Sequence, residues 1–318
     1  MSNFIISLDF ELMWGLRDRH TISSYGENIL GVREAIPKTL ALFAENDISA
    51  TWATVGLLFC ENKEEIFCLT KSIQKPQYKD QRLSNYRYFH EIGKNESEDK
   101  YYFGKSLLLE ILDTPNQKVG THTFSHYYCL ETGAEIETFE NDVDLAIKLA
   151  RQVGVEIKSI VFPRNQYSKD FLQSCAKRGI TSFRGNPSGY AYKSHNGEEN
   201  TKLKRALRLV DAHTGLLADL SKSPQSEVEG IVNVPANRFL RPKTGKLGRI
   251  HPLHVKTILR EMHHAAKSGF NYHLWWHPHN FGINTIDNIA ALREIILQFN
   301  KLKDEFGFKS STMEDIQI

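Results

Sequence analysis

The sequence has no long apolar run, almost no net charge and few cysteines, and each shortage excludes a class of protein. No stretch approaches the roughly 18 consecutive apolar residues of a membrane span. Its 40 basic and 38 acidic side chains leave a net charge of +2, which is too small to favour nucleic acid as the main partner. The 4 cysteines include no CxxC pair and no zinc-finger spacing, and they fit a reducing compartment.

The N-terminal segment also lacks the features of a secretory signal. It begins Met-Ser-Asn-Phe-Ile-Ile-Ser-Leu and reaches Asp9 and Glu11 without a basic region or a long apolar core. Hydrophobic residues make up 41% of the chain and charged residues 25%, as in ordinary globular proteins. We therefore expect a folded cytoplasmic protein without a membrane span.

Two basic clusters stand out against this even charge balance. The first spans residues 202–208 and the second spans residues 241–249. Short charge runs usually belong to a solvated face. The alternative is a site for phosphate on a nucleotide-linked or lipid-linked substrate, because arginine and lysine are the side chains that bind phosphate.

Strand-like and helix-like segments alternate along the whole chain. The apolar runs that predict strands are residues 4–8, 50–56, 116–121, 157–162, 179–184, 230–235 and 270–276. The segments that predict helices are residues 33–45, 61–73, 101–112, 135–153, 169–178, part of 205–220, 252–268 and 283–306. This alternation favours a parallel α/β fold, either barrel-like or doubly wound. Because no linker or repeat divides the chain, we expect one domain over 1–318, with an insertion at 74–100 and a loop from 185 to about 204.

Polar residues with catalytic chemistry directly follow several of these strands. In parallel α/β folds the carboxyl ends of the strands lie at one edge of the sheet, where sites are built. We therefore expect these side chains to meet in one site. The residues are Asp9, Glu11, His122, His126, Arg164, His277 and His279.

Two histidines spaced four apart, His122 and His126, can bind one metal ion together with a carboxylate. Two imidazoles and one carboxylate leave a coordination position open for water or substrate. Such an ion lowers the pKa of bound water and polarises a carbonyl oxygen. A second carboxylate can then accept the water proton, and a separate histidine can protonate the leaving group. This set is typical of the hydrolysis of an amide or an ester.

Four short motifs and one histidine follow one another in order along the chain. They are Ser7-Leu8-Asp9-Phe10-Glu11, Ala50-Thr51-Trp52-Ala53-Thr54-Val55-Gly56, His122-Thr123-Phe124-Ser125-His126, Phe162-Pro163-Arg164-Asn165-Gln166-Tyr167 and His277. In this order they resemble the polysaccharide deacetylase family, also called the NodB homology group or carbohydrate esterase family four. The resemblance extends from Phe4 to the C-terminal tail, and the block at 122–126 is its most specific part. The phrase at 274–281 resembles a branch associated with bacterial surface-polysaccharide gene clusters.

The resemblance implies a single distorted (β/α)7-type barrel and metal-dependent removal of an acetyl group from a sugar. By motif position, Asp9 is expected to be the general base and His277 the general acid. Arg164 is expected to hold Asp9, and the backbone near Tyr167 is expected to stabilise the oxyanion. The expected metal ligands are Glu11, His122 and His126. Zinc is the ion that this ligand set favours, although cobalt, nickel or iron would fit the same ligands.

The sequence departs from the family pattern at two positions. The first motif of the family usually has adjacent acids followed by glycine, whereas Phe10 separates Asp9 from Glu11 here. Alternation along a strand keeps both carboxylates on one face, and either of them could ligate the metal. In the family, the motif that corresponds to residues 162–167 usually places arginine before proline. Here Pro163 precedes Arg164.

We therefore expect a hydrolase of linear amide C–N bonds. The expected substrate is an acetylated sugar, with an N-acetyl group favoured over an O-acetyl group, in surface-polysaccharide or lipopolysaccharide biosynthesis. The sugar is expected to be a small molecule or to be linked to a nucleotide or lipid carrier. Two alternatives keep the fold: an amidohydrolase for a non-sugar amide such as a cyclic ureide, and a catalytically silent carbohydrate-binding protein. The residues expected to contact the substrate are Trp14, Asn165, Tyr167, Trp276 and His279.

Overall fold

The computed structural model describes residues 2–187, 189–192, 201–215, 221 and 223–318 of the chain. The strands in these residues are β1 (Asn3–Phe10), β2 (Ala50–Thr54), β3 (Gln117–Thr121), β4 (Ser159–Ile160), β5 (Ser182–Gly185), β6 (Gln225–Val228), β7 (Ile231–Pro235), β8 (Arg238–Phe239), β9 (Tyr272–Trp276) and β10 (Lys309–Ser311). The helices are α1 (Ile22–Leu30), α2 (Val32–Glu45), α3 (Lys63–Thr70), α4 (Lys105–Asp113), α5 (Ile136–Gln152), α6 (Lys169–Lys177), α7 (Lys202–Thr214), α8 (His251–Ser268) and α9 (Thr285–Phe306).

The strands form one sheet in the order β6-β7-β5-β4-β3-β2-β1-β9-β8, and β10 pairs with the start of β1. All of the pairs are parallel except β6 with β7. Parallel neighbours need crossover connections, and helices supply most of them here. The sheet therefore has helices against its outer face.

A bent segment connects β7, near one end of this strand order, to β8 at the other end. β7 pairs with β5, and β8, which starts only a few residues later, pairs with β9. Between them, Ala236 donates its N–H to the carbonyl of Gly185, and Asn237 donates to the carbonyl of His273. The parallel strands consequently curl into a barrel, and the predicted distorted (β/α)7-type barrel is confirmed.

Alternation along the strands decides which side chains face the barrel interior. In β1, Ile6, Leu8 and Phe10 belong to the large core that packs on the helices. Ile5 faces the other way, into a small apolar cluster with Val161 and Met313. Ser7 and Asp9 follow Ile5 on that inner face, so the strand carries a carboxylate at its inner carboxyl end.

The structure shifts several of the predicted element boundaries. The helices predicted at 61–73 and 101–112 are shorter than expected, since they correspond to α3 and α4, and regular pairing of β4 covers only Ser159–Ile160. Helix α1 was not predicted, although Thr21 and Ser24 form a capping box at its start. The helix expected in part of 205–220 is α7, and residues 216–220 lie outside the described residues. In the loop expected from 185 to about 204, residues 188 and 193–200 also lie outside the described residues, and α7 begins at Lys202, within that range.

The polar segment 74–100 lies beside the carboxyl ends of the strands. Most of it is irregular, with short 3-10 turns at Gln81–Leu83 and Asn85–Tyr88. The Asn85 amide donates to the carbonyls of Trp14 and Ser125, at 2.8 and 2.9 Å. Within the described part of the chain, no helix combines the length and the apolar character needed to cross a membrane.

Candidate active site

Glu11, His122 and His126 bring three potential metal ligands together at the carboxyl end of the barrel. The Glu11 Oε2 atom lies 3.0 Å from Nε2 of His126 and 3.4 Å from Nε2 of His122. The ligand atoms of the three residues all lie within 4.8 Å of one another, and all three side chains are buried. A buried cluster of this composition is what a tightly held divalent ion requires.

Local backbone geometry directs each of these side chains. Glu11 follows the last residue of β1 and precedes a 3-10 turn at Leu12–Gly15. The turn passes so close to Glu11 that a Cβ atom on Gly15 would lie 2.1 Å from the carboxyl carbon of Glu11. A side chain at Gly15 would therefore displace the Glu11 carboxylate.

The loop that carries His122 and His126 is held in a strained backbone conformation by hydrogen bonds to Asp142. His122 follows β3, and both Thr123 and His126 have positive φ angles, 62° and 60°. The buried carboxylate of Asp142 on α5 accepts the N–H groups of Phe124 and Ser125, and also the Ser125 hydroxyl. These bonds offset the backbone strain and fix where the two imidazoles point.

Hydrogen bonding determines the tautomer of His122. Its Nδ1 lies 2.7 Å from the carbonyl oxygen of Val161, which can only accept. Nδ1 must therefore carry the proton, and the lone pair of Nε2 faces Glu11. A backbone carbonyl that fixes the tautomer in this way is typical of metal-binding histidines.

The charge states of Glu11 and His126 also fit a metal site. Burial alone would raise the pKa of Glu11, but His277, His122 and His126 hold that pKa well below its ordinary value. Burial lowers the pKa of His126, although the neighbouring Glu11 opposes this shift. A charged carboxylate and a neutral imidazole are the forms that bind a cation. The donor set therefore fits a divalent ion such as zinc.

Asp9 is bound to Arg184 rather than to the histidines. The Arg184 Nη1 and Nη2 atoms donate to the two Asp9 oxygens at 2.6 and 2.7 Å. Burial alone would raise the pKa of Asp9, but Arg184, His122 and His277 lower it. The Arg184 side chain is only 1% exposed, and its guanidinium lies 4.0 Å from the centre of the Trp275 ring. Asp9 is therefore an oriented and ionised carboxylate.

Further hydrogen bonds inside the barrel, through Ser7 and His273, hold Arg184 in place. Its Nη1 atom also donates to Ser7 Oγ at 3.1 Å, so the Ser7 hydroxyl proton is available to His273 Nε2, 2.9 Å away. Burial and the charge of Arg184 lower the pKa of His273 to about 3, which keeps its ring neutral. These groups form a layer inside the barrel, directly beneath the Asp9 carboxylate.

The expected contact of Arg164 with Asp9 is wrong. Arg164 pairs instead with Asp18 and Glu131, and it lies over the ring of Tyr128. The physical reason is its position after β4, in a turn where its φ angle is 55°, which turns the side chain toward the rim. Arg184 is on an inner position of β5 instead, level with Asp9 across the barrel.

His277 and His279 complete the polar centre. His277 Nε2 lies 3.6 Å from Asp9 Oδ2 and 3.8 Å from Glu11 Oε1, and the side chain is 23% exposed. His279 stacks on His277 with ring centres 4.9 Å apart, but it is buried. Burial and the adjacent His277 lower the pKa of His279 to about 3. Of these two histidines, His277 is therefore the more accessible to a bound substrate.

A cavity of about 310 Å³ opens over these groups. Its polar floor contains Arg184 together with two carboxylates and four histidines, namely Asp9, Glu11, His122, His126, His277 and His279. Its sides include two aromatic residues, Phe239 and Trp275, whose ring centres lie 4.7 Å apart. The remaining lining residues at the rim include Leu16, Arg19, His20, Tyr25, Arg164 and Asn280.

Not every predicted substrate contact reaches this cavity. Asn165 and His279 line it. Trp14 is buried with its indole N–H bonded to the carbonyl of Tyr102, and Trp276 packs outward on Phe281 in the core. Their predicted contact with substrate is therefore wrong, because both rings face away from the cavity.

Tyr167 does not line the cavity either. Its ring packs against Phe162 and Phe183 on the outer side of the sheet. Burial raises the pKa of Tyr167 to about 12. The expected contribution of the backbone near Tyr167 to an oxyanion site stays a prediction.

Three residues that line the cavity were not predicted from the sequence, namely Arg184, Trp275 and Phe239. Alternation could have identified the first two. Arg184 is two positions after Ser182 on a predicted strand, and Trp275 is two positions before His277. No comparable signal marked Phe239, because β8 is too short to be recognised by its pattern.

Comparisons with known proteins give the fold but not the family. No family model and no curated protein sequence matches this chain. Among solved structures, a protein from Mycobacterium smegmatis described as a polysaccharide deacetylase has a TM-score of 0.62 at 12% identity, over 99% of this chain and 88% of that one. A GH57-type branching enzyme from Pyrococcus horikoshii has a TM-score of 0.57 at 12% identity, over 99% of this chain and 70% of that one.

These two likenesses define a class of fold, a curled barrel of parallel strands and flanking helices. A 4-alpha-glucanotransferase from Thermococcus litoralis is similar at a TM-score of 0.51 and 12% identity, over 94% of this chain but 37% of that one. The same fold thus occurs in enzymes with different names and reactions. The function of this chain has to be argued from its site.

Proposed function

We propose that this protein is a metal-dependent hydrolase that removes an acetyl group, in particular an N-acetyl group, from a sugar. The observation that carries the proposal is the arrangement of three buried ligands beside an arginine-held carboxylate and an accessible histidine. A binding protein requires none of these groups to be placed so closely. Their combination is typical of amide and ester hydrolysis.

The metal would be held by Glu11, His122 and His126. When bound, a divalent ion at this place supplies Lewis acidity toward the carbonyl oxygen and lowers the pKa of water. Zinc is the ion that two imidazoles and one carboxylate favour. The other roles fall to residues of the chain itself.

Asp9 and His277 are suited to the two proton transfers. Asp9 is ionised and fixed by Arg184, so one of its oxygens can accept the proton of the attacking water. His277 lies within 3.6 Å of Asp9 and is partly exposed, so it can donate a proton to the departing nitrogen or oxygen. Arg184 keeps the Asp9 carboxylate in one orientation through both transfers.

The pKa values of the carboxyl groups in the cavity argue against glycosidic-bond cleavage, which the names of two structural neighbours suggest as an alternative for this fold. Among the described residues, the carboxyl groups lining the cavity are those of Asp9 and Glu11. Burial raises the pKa of both groups, but the charges and hydrogen bonds of Arg184 and the neighbouring histidines outweigh it. The pKa of each group is therefore lowered. A glycosidase generally requires one carboxylic acid that stays protonated. Acyl removal, with a histidine as the acid, fits the site better.

The proposed substrate is an acetylated sugar on a carrier, and the proposed setting is surface-polysaccharide biosynthesis in the cytoplasm. The cavity has room for about one sugar ring, and Phe239 and Trp275 offer an apolar wall beside His277. The resemblance at 274–281 motivates the pathway. We further propose that the whole chain, 1–318, forms one catalytic domain with its insertion at 74–100.

Acetate release is the test of this proposal. The purified chain is assayed on N-acetylated and O-acetylated sugars, before and after chelation and after return of zinc or cobalt. The proposal predicts loss on chelation, recovery with metal, and loss in His122→Ala but not in His264→Ala, an exposed histidine of α8. Release that survives chelation or His122→Ala contradicts the mechanism.

The same assay separates the two alternatives. Metal-independent turnover of a cyclic ureide, without acetate release from any sugar, would favour an amidohydrolase. Sugar binding without turnover across the panel would favour a carbohydrate-binding protein.

A further inference from the structure

Arg208 and Arg241, one from each basic cluster of the sequence, act on each other electrostatically in the fold. Arg208 belongs to α7, in the first cluster, and Arg241 follows β8, in the second cluster. Burial lowers the pKa of Arg241, and the positive charge of Arg208 lowers it further. A shared surface thus joins segments that are separate in the sequence.

The backbone of Arg241 is fixed by two histidines of α8. Its N–H donates to Nε2 of His254 at 3.0 Å, and its carbonyl oxygen lies 2.9 Å from Nε2 of His251. His254 is fully buried, and its Nδ1 lies 2.6 Å from the carbonyl oxygen of Ala212. The Arg241 side chain therefore projects from a rigid base.

The Arg241 guanidinium has no counter-ion among the described residues. Its Nε atom is buried and has no hydrogen-bond acceptor. Arg238, three positions earlier, pairs with Asp211 and Glu261. Half-burying a cation without a partner is unfavourable, and an anion at Arg241 would offset that cost.

The charges around Arg241 also favour a bound anion. Its pKa is lowered by burial and by the positive charges of Arg208 and Arg238, although Tyr192 opposes them. The pKa of Arg208 is also lowered, chiefly by burial and also by Arg205. Most structural arginines have their charge stabilised by a neighbouring acid, as Arg164 and Arg178 have here.

Arg241 is connected to the candidate active site through one aromatic ring. Its guanidinium carbon lies 5.9 Å from the centre of the Phe239 ring. The Phe239 ring centre lies 5.8 Å from that of His277, and Phe239 lines the cavity. One substrate molecule could therefore place a sugar beside His277 and an anionic group at Arg241.

We propose that Arg241, with Arg208 beside it, forms a subsite for the phosphate or diphosphate ester that links the acetylated sugar to its carrier. This inference rests on the proposed function, and it adds the chemical class of the leaving carrier. A planar guanidinium binds a phosphate through two parallel hydrogen bonds. The nucleoside or lipid beyond the phosphate would extend outward from the rim.

Calorimetric titration of the metal-loaded full chain with inorganic pyrophosphate tests the subsite. Arg241→Gln should weaken binding by about tenfold or more, because it removes a charge-assisted pair of bonds. Arg241→Lys should weaken it less, because the charge remains. The control is Lys243→Gln in the same cluster: Lys243 is exposed and pairs with Asp287, so its loss should change binding by less than about twofold.

Two further titrations distinguish the carriers. Uridine diphosphate and geranyl diphosphate carry the same anionic group on a nucleoside and on a lipid. Tighter binding of one than of pyrophosphate identifies that carrier, and equal binding of both leaves the diphosphate as the recognised group. Each of these results supports the subsite only if Arg241→Gln weakens the binding.

Failure of the subsite differs from failure of the proposed function. No pyrophosphate binding to the wild-type chain, or unchanged binding in Arg241→Gln, overturns the subsite even if the chain deacetylates sugars. Arginine-dependent pyrophosphate binding without acetate release from any acetylated sugar overturns the proposed function and leaves an anion site at Arg241.

Discussion

Asp9 and Arg184 form a two-bonded ion pair inside the barrel, across 175 residues of sequence. Both Asp9 oxygens are engaged by the guanidinium, whereas Glu11 directs one oxygen at both histidines. The pair therefore separates the roles of two acids that the sequence left interchangeable. We propose that Glu11 binds the ion and that Asp9 accepts a proton.

Removal of Arg184 should impair catalysis more than metal binding. Arg184→Gln leaves a buried carboxylate without its counter-charge, which should destabilise the fold by about 3–5 kcal/mol. The free Asp9 side chain can also rotate, and misplacing a catalytic group costs on the order of 10²-fold in rate. The measurements are kcat/KM for acetate release, metal content and urea denaturation.

Arg164→Gln is the matched control, since Arg164 follows the neighbouring strand β4 but pairs with Asp18 and Glu131. If Arg164→Gln lowers kcat/KM as much as Arg184→Gln does, the assignment of Arg184 is wrong. Should Arg184→Gln fail to fold, Arg184→Lys retains the charge and should lose activity while keeping its metal.

Neutral substitutions of the two acids should have opposite effects on metal content. Asp9→Asn should abolish turnover and retain the ion, because Asp9 is bound to Arg184. Glu11→Gln should lose the ion, because an uncharged amide is a much weaker ligand for a divalent cation. Elemental analysis of both purified variants decides the matter. Loss of metal from Asp9→Asn with retention in Glu11→Gln would reverse the assignment.

Asn85 should affect metal affinity from outside the ligand set. Its amide donates to the carbonyls of Trp14 and Ser125, which lie in the segments that carry Glu11 and His126. Asn85→Ala should weaken zinc affinity by about 10–100-fold, as for other groups that orient ligands. Zinc affinity is measured by competition with a chelating dye.

The control for Asn85 is Asn95→Ala in the same region of the chain. The Asn95 side chain accepts hydrogen bonds from the nearby N–H groups of Ser97 and Glu98 and from the Ser97 hydroxyl. Equal losses of zinc affinity in the two variants would mean that the segment acts through stability alone.

Asp142 should make stability depend on pH. Burial raises the pKa of Asp142 to about 6, despite hydrogen bonds from Ser125 and Phe124 that favour the charged form. Since the folded state holds this proton more tightly than the unfolded state does, the contribution of Asp142 is greatest below pH 3.8 and is lost as pH rises through about 6. The loss amounts to about 3 kcal/mol.

The measurement is the free energy of unfolding of the wild type and of Asp142→Asn between pH 4 and 8. Relative to the variant, the wild type should lose stability as the pH rises. A difference that stays constant, or grows with pH, would show that the donors around Asp142 outweigh its burial.

The sequence predicted the barrel and the meeting of Glu11, His122 and His126, because both depend on strand alternation and on order along the chain. It placed Arg164 wrongly, because a turn with a positive φ angle redirects a side chain in a way that composition does not reveal. It also selected Trp276 over Trp275, although only Trp275 lines the cavity. In both cases the inner position of a strand would have been the better guide.

The resemblance to known motifs contributed to the first of these errors. It predicted that Arg164, in the motif at 162–167, would contact Asp9, whereas Arg184 makes that contact from the next strand. A long-range pair of this kind is determined by how the barrel closes. No local pattern around Asp9 specifies its partner.

An anomalous difference map at the zinc edge, from crystals of the zinc-loaded chain, tests the central claim most directly. The account predicts one strong peak bound by Glu11 Oε2 and by the Nε2 atoms of His122 and His126, with Asp9 still paired to Arg184. A peak coordinated by Asp9, or no peak among these three residues in a chain that carries stoichiometric zinc, would contradict it.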